Sequence, residues 1–206
     1  MFSSRARSLF PRSPFYDCFA SHSAWVTSML LEHDHSELDA TLASVFSALA
    51  AGEIEQSFKN LDLFWARLAI HIRAENIHLF PTLLNASQRP PQAADVPGAK
   101  AVAEIITRLR VDHDFFMIEL AAAMKQLREL RRGDRQDAAP ALATVREQMT
   151  RVSQRLEIHN ALEESQVYQW AGALLDNVEQ EALNQRLRRE VENLPQRFQA
   201  ASRGLT

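Results

Sequence analysis

The 206-residue chain has a single cysteine, Cys18, so it makes no internal disulfide and no cysteine-based metal site. Disulfide scaffolds and zinc fingers are excluded. It also lacks an excess of charge of either sign: 23 Lys and Arg against 26 Asp and Glu leave a net charge of -3, which provides no basic field for nucleic acid or an acidic membrane. No apolar run approaches the ~20 residues needed to cross a bilayer, because His, Asp, Glu or Arg interrupts each long apolar stretch. Glycine is scarce, with 5 in the chain, and the 8 prolines fall in a few places. The expectation is a soluble domain without nucleic-acid or membrane partners, long enough to bury a core without covalent staples.

The first 20 residues carry Arg, Ser and two prolines without apolar periodicity and read as a flexible leader. They lack the continuous apolar core of a secretory signal, which points to a cytoplasmic protein, with a mitochondrial-type presequence as the compositional alternative.

Between the breakers lie long segments rich in Ala, Leu, Glu, Gln and Arg, with apolar residues three and four apart. The expected fold is all-α, an antiparallel up-and-down four-helix bundle with an extra C-terminal helix. The first helix is expected over residues 21–51, ending at Gly52, and the second over 54–84. Pro90, Pro91 and Pro97 place a crossover loop at 85–98, since proline lacks the amide donor and clashes with the preceding turn. The third helix is expected over 99–132, and Pro140 opens a fourth that runs to Trp170. A fifth segment, 176–194, carries the stripe Leu183, Leu187, Val191 and Leu194, which either covers the bundle or makes a homodimer contact. These elements divide the chain into a leader (1–20), a bundle (21–172) and a C-terminal helix with its tail (173–206).

Each of the four bundle stripes is interrupted by a histidine, and two are interrupted again four residues later by a glutamate. The interruptions are His35, His71 with Glu75, His113, and His159 with Glu163. Residues four apart share a helix face, so both His–Glu pairs point inward with the apolar stripe. In an antiparallel hairpin two residues sit at equal height when the turn lies midway between them. The midpoints of successive histidines fall at 53, 92 and 136, all in expected turns. Four imidazoles and two carboxylates in an apolar core are costly unless cations compensate them. Nitrogen and carboxylate donors without thiolate suit iron, manganese or zinc. Two bridging carboxylates favour a pair of ions, whose roughly twelve octahedral positions exceed the protein donors and leave room for a bridging oxygen and an exogenous ligand.

The order His, His-x-x-x-Glu, His, His-x-x-x-Glu resembles the hemerythrin-like (HHE cation-binding) domain family. The motifs are His35 in DHSEL, His71 to Glu75 in HIRAENIHLFP, His113 in DHDFF, and His159 to Glu163 in HNALEE. The resemblance implies a four-helix bundle holding two iron ions with a bridging oxo or hydroxo group, zinc or manganese being able to substitute. It implies His35, His71, Glu75, His113, His159 and Glu163 as ligands, with Glu75 and Glu163 as bridges. It further implies binding of oxygen or nitric oxide for sensing, storage or detoxification. The alternatives are a di-iron enzyme of nitric-oxide or oxidative stress defence or of iron–sulfur cluster repair, and an iron-responsive regulatory module. The oxygen-carrying members use five histidines and a final carboxylate five residues after its histidine, whereas the spacing here is four.

Other residues are read as follows. His78, seven after His71, is a fifth histidine ligand, a group behind the ligands, or a partly buried residue at the bundle end. His33 points away from His35, toward the surface. Glu164 and Asp114 flank ligands and read as solvated helix faces. Tyr168, five beyond Glu163, falls off the α-helical face of that glutamate.

Overall fold

Gly52 adopts φ +72°, a left-handed conformation that L side chains rarely take, and it ends the first helix as its position in the sequence predicts. A computed structural model describes residues 22–90, 97–133 and 138–198, so the leader and Cys18 lie outside the described residues. Within them the chain is all-helical: α1 is His22–Ala50, α2 Ile54–Ala74, α3 Phe80–Ser87, α4 Ala99–Arg132, α5 Ala138–Leu162, α6 Tyr168–Leu174 and α7 Asn177–Val191. No described helix is long and apolar enough to cross a membrane.

Two of the expected helices differ from a simple α-helix. A π-helical turn, Glu75–Leu79, joins α2 to α3, and a second, Glu163–Val167, joins α5 to α6. In the first, the amide of Phe80 reaches back to the carbonyl of Glu75, one residue further than an α-helix requires. Pro81 follows immediately and has no amide to give its own turn, so the widened turn accommodates it and the helix continues to Ser87, past the expected end at Leu84. Pro140 lies in the first turn of α5, where its missing donor costs nothing. A capping box between Asp176 and Glu179 starts α7.

The helices pack in a ring, α1 on α2, α2 on α4, α4 on α5 and α5 on α1, with α7 against α1 and α2. Between α1 and α2 the Asn60 amide donates to the Ser44 carbonyl at 2.9 Å, Arg67 to Glu37 at 3.1 Å and His71 to Asp34 at 2.8 Å. The apolar interior is divided in two. One cluster contains Leu38 to Leu49, Leu61 to Ile72, Phe116 to Leu127 and Leu142 to Leu156. The other contains Leu31, Leu79 to Leu83, Val102 to Leu109, Tyr168 and Ala171, with Leu183 and Leu187 of α7 fully covered. The α7 stripe thus covers its own chain's helices. The interrupting histidines and glutamates lie at the boundary between the two clusters.

Candidate metal centre

The six interrupting side chains come together from four helices and two π turns, and none is more than 3% exposed. The Nε2 atoms of His35 and His71 lie 3.1 Å apart, and those of His113 and His159 lie 3.2 Å apart. The two carboxylates sit between these pairs. Glu75 places Oε1 3.5 Å from His71 Nε2 and Oε2 3.3 Å from His113 Nε2. Glu163 places Oε2 3.5 Å from His35 Nε2 and Oε1 3.2 Å from His159 Nε2. Two overlapping groups can each hold an ion, one of His35, His71 and Glu163, the other of Glu75, His113, His159 and Glu163.

With Nε2 turned inward, each imidazole presents Nδ1 to a partner that fixes its ring. His71 donates to Asp34 at 2.8 Å, and Arg67 holds the other oxygen of Asp34 at 3.4 Å. His159 faces Asp112 at 3.3 Å, and Arg155 holds Asp112 at 2.7 Å. His35 Nδ1 lies 2.7 Å from Glu164, and His113 Nδ1 faces the Asn76 amide at 3.2 Å. Carboxylate partners orient metal-binding histidines and raise their basicity, whereas the Asn76 amide nitrogen, a donor, only positions the His113 ring. Phe80 stacks on His113 at 5.7 Å between centroids, and Phe116 meets His159 edge-on at 5.3 Å.

Burial alone would push these groups toward their neutral forms, and mutual attraction overcomes it. Burial pushes the His71 imidazole down, but Glu75 and Asp34 hold it well above its ordinary value. His159 is likewise opposed by burial and raised to about 9 by Glu163, Asp112 and Glu75. Glu75 is pushed up by burial but held well below the usual carboxylate range by His71 and His113. Asp34 and Asp112 are lowered against burial by their histidine and arginine partners. Tyr168 is raised, first by burial and then by Glu163 and Glu75.

Two carboxylate oxygens, Glu75 Oε2 and Glu163 Oε1, are buried without a hydrogen-bond partner. Both belong to the group containing His113 and His159. Orphaned buried anionic oxygens are costly, and a cation among them and the two Nε2 atoms removes that cost. The donor set, imidazole and carboxylate without thiolate, suits a hard or borderline metal.

Glu164 is not simply a solvated residue: its carboxylate holds His35, because the π turn brings it beside α1. Tyr168 is fully buried, with its hydroxyl 3.0 Å from Glu75 Oε1, 3.2 Å from Glu163 Oε2 and 3.1 Å from His35 Nε2. An α-helix turns a residue five positions on away from the first, whereas a π turn stacks the two, which is why the 3.6-residue period misplaced it. His78 stands apart from the cluster, 3.5 Å from Glu190 of α7. His33 and Asp114 are exposed, as expected.

Asp34, Asp112, Arg67, Arg155 and Asn76 lie outside the interrupted stripes yet hold the imidazoles, and an internal repeat marks them in the sequence. Arg-x-x-x-His-x-x-x-Glu is followed at once by Asn76 or Glu164 and four residues later by Phe80 or Tyr168, each position of the second copy lying 88 residues beyond the first. An Asp-His pair precedes each copy, at Asp34-His35 and Asp112-His113.

The family model of the hemerythrin HHE cation-binding domain matches residues 27–171. The chain belongs to this family, and its buried His/Glu cluster fits the metal site that membership implies. Comparisons with curated proteins and with solved structures find no match.

Proposed function

We propose that the chain is a non-haem di-iron protein that binds oxygen or nitric oxide, for sensing, storage or detoxification. In this reading His35 and His71 hold one ion, His113 and His159 hold the other, and Glu75 and Glu163 bridge them. The observation that carries it is the placement of the two carboxylates, each directing one oxygen to each histidine pair, with two of those oxygens left without donors. Residues 21–172 act as an antiparallel up-and-down four-helix bundle and 173–206 as a covering helix with its tail. The contacts of Asn60 with Ser44, Arg67 with Glu37 and His71 with Asp34 support opposed directions for α1 and α2, since one number falls as the other rises.

Iron bound there would supply coordination positions beyond those the protein fills, which is the chemistry a diatomic ligand needs. The chain's own residues orient the imidazoles through Asp34, Asp112, Glu164 and Asn76. Phe80, Phe116 and the apolar clusters on either side exclude water. The test is metal content and visible absorption of anaerobically purified protein before and after exposure to oxygen and, separately, nitric oxide. About two irons per chain with a ligand-dependent spectrum is expected. A folded protein that takes up no stoichiometric metal on iron reconstitution would overturn the reading.

A further inference from the structure

Tyr168 distinguishes the two halves of the centre. Its counterpart in the internal repeat is Phe80, which offers a ring and no donor. The second π turn stacks Tyr168 on Glu163, its amide bonded to the Glu163 carbonyl, and so directs the phenol between the carboxylates and His35.

Metal–ligand bonds of about 2.1 Å at right angles place neighbouring donor atoms about 3 Å apart. The phenolic oxygen lies at that spacing from three donors: 3.0 Å from Glu75 Oε1, 3.1 Å from His35 Nε2 and 3.2 Å from Glu163 Oε2. The same spacing separates His35 Nε2 from His71 Nε2, at 3.1 Å. Around one position stand His35, His71 and Glu163, with Glu75 Oε1 3.5 Å from His71 Nε2 and the phenolic oxygen as a fifth protein atom. The other position has four, His113, His159 and one oxygen from each glutamate, and it is there that the carboxylate oxygens lack a hydrogen-bond donor.

We propose, on the di-iron reading above, that Tyr168 is a seventh ligand residue of the centre, bound through its phenolic oxygen to the ion held by His35 and His71. The two ions are then unlike. One has five protein donors, including a phenolate, and its His35 ligand is backed by the Glu164 carboxylate; the other has four, and its His113 ligand is backed by the neutral Asn76 amide. The added negative charge favours the ferric state of the first ion. The greater number of free positions at the second makes it the receiver of the exogenous ligand. As the metal–oxygen bond forms the phenolic O–H bond breaks, the proton passes to solvent, and no electron is transferred in that step.

The chain has two tyrosines, Tyr16 and Tyr168, so Tyr16→Phe leaves Tyr168 as its sole phenol. The full-length Tyr16→Phe protein, reconstituted with iron and oxidised, is examined by metal analysis, visible absorption and resonance Raman spectroscopy. The expected result is a phenolate-to-iron charge-transfer band with enhanced phenolate ring modes, which Tyr168→Phe abolishes per bound iron while helical circular dichroism is kept. Ferric protein with bound iron but no phenolate modes overturns the proposal, leaving Tyr168 as a hydrogen-bond donor to the carboxylates. Phenolate modes that survive Tyr168→Phe overturn it as well. Absence of bound iron in the wild-type chain sinks the di-iron reading itself, an outcome separate from iron bound without phenolate modes.

Discussion

Asp34 Oδ2 accepts the Nδ1 proton of His71 at 2.8 Å, while its other oxygen is held by Arg67 from one turn earlier on α2. The carboxylate thus ties the imidazole to α1 and leaves Nε2 free to face the centre. Removing such an orienting partner typically lowers metal affinity by about 10–100-fold. Asp34→Ala is expected to weaken iron binding by this order in chelator competition, with helical content unchanged. Equal affinity in the two proteins would show that packing alone orients His71.

The ion pairs within the metal-free cluster make its stability depend on pH. His71 and His159 have folded pKa values above the ordinary 6.5, so the stability they contribute is full below 6.5 and is lost as pH rises, for His159 through about 9. Asp34, Asp112 and Glu75 are lowered, so their contribution is present above the ordinary carboxylate range and is lost on acidification. Chelator-treated protein is therefore expected to be most stable between about pH 4.5 and 6.5, and to lose on the order of 2–3 kcal/mol by pH 9. Urea unfolding at pH 6 and pH 9 measures this, and equal stability at both would contradict it. Metal competes with the same protons, so adding iron is expected to stabilise more at pH 9 than at pH 6.

His78 pairs with Glu190, which also accepts from Arg73, so its contacts are with the covering helix. His78→Gln is expected to leave iron content and spectrum unchanged and to alter stability by less than about 1 kcal/mol, because the pair is partly exposed. Loss of one iron in this variant would restore His78 as a fifth histidine ligand.

The helices and the six converging residues could be read from the sequence because both follow the 3.6-residue period. His71 and Glu75, or His159 and Glu163, share a face on any α-helix, and an apolar stripe interrupted by titratable groups marks that face as the one turned inward. The turn at Gly52 and the breakers Pro90, Pro97 and Gly133 between the later helices then set the expected relative heights. What the period could not supply was the phase beyond each glutamate. A π turn adds one residue, so Tyr168 returns to the face of Glu163 and Glu164 comes to lie beside His35.

By itself the sequence determined that the chain is helical, which residues interrupt its apolar faces, and that they fall at matching heights, since these depend on local periodicity and breaker positions. Tertiary structure decided which histidines pair, which oxygen of each glutamate serves which pair, and how Tyr168, Phe80, Glu164 and Asn76 make the halves unequal. Those depend on how four helices face one another across a core and on two widened turns, and the wider turn depends on packing that the 3.6-residue pattern does not contain.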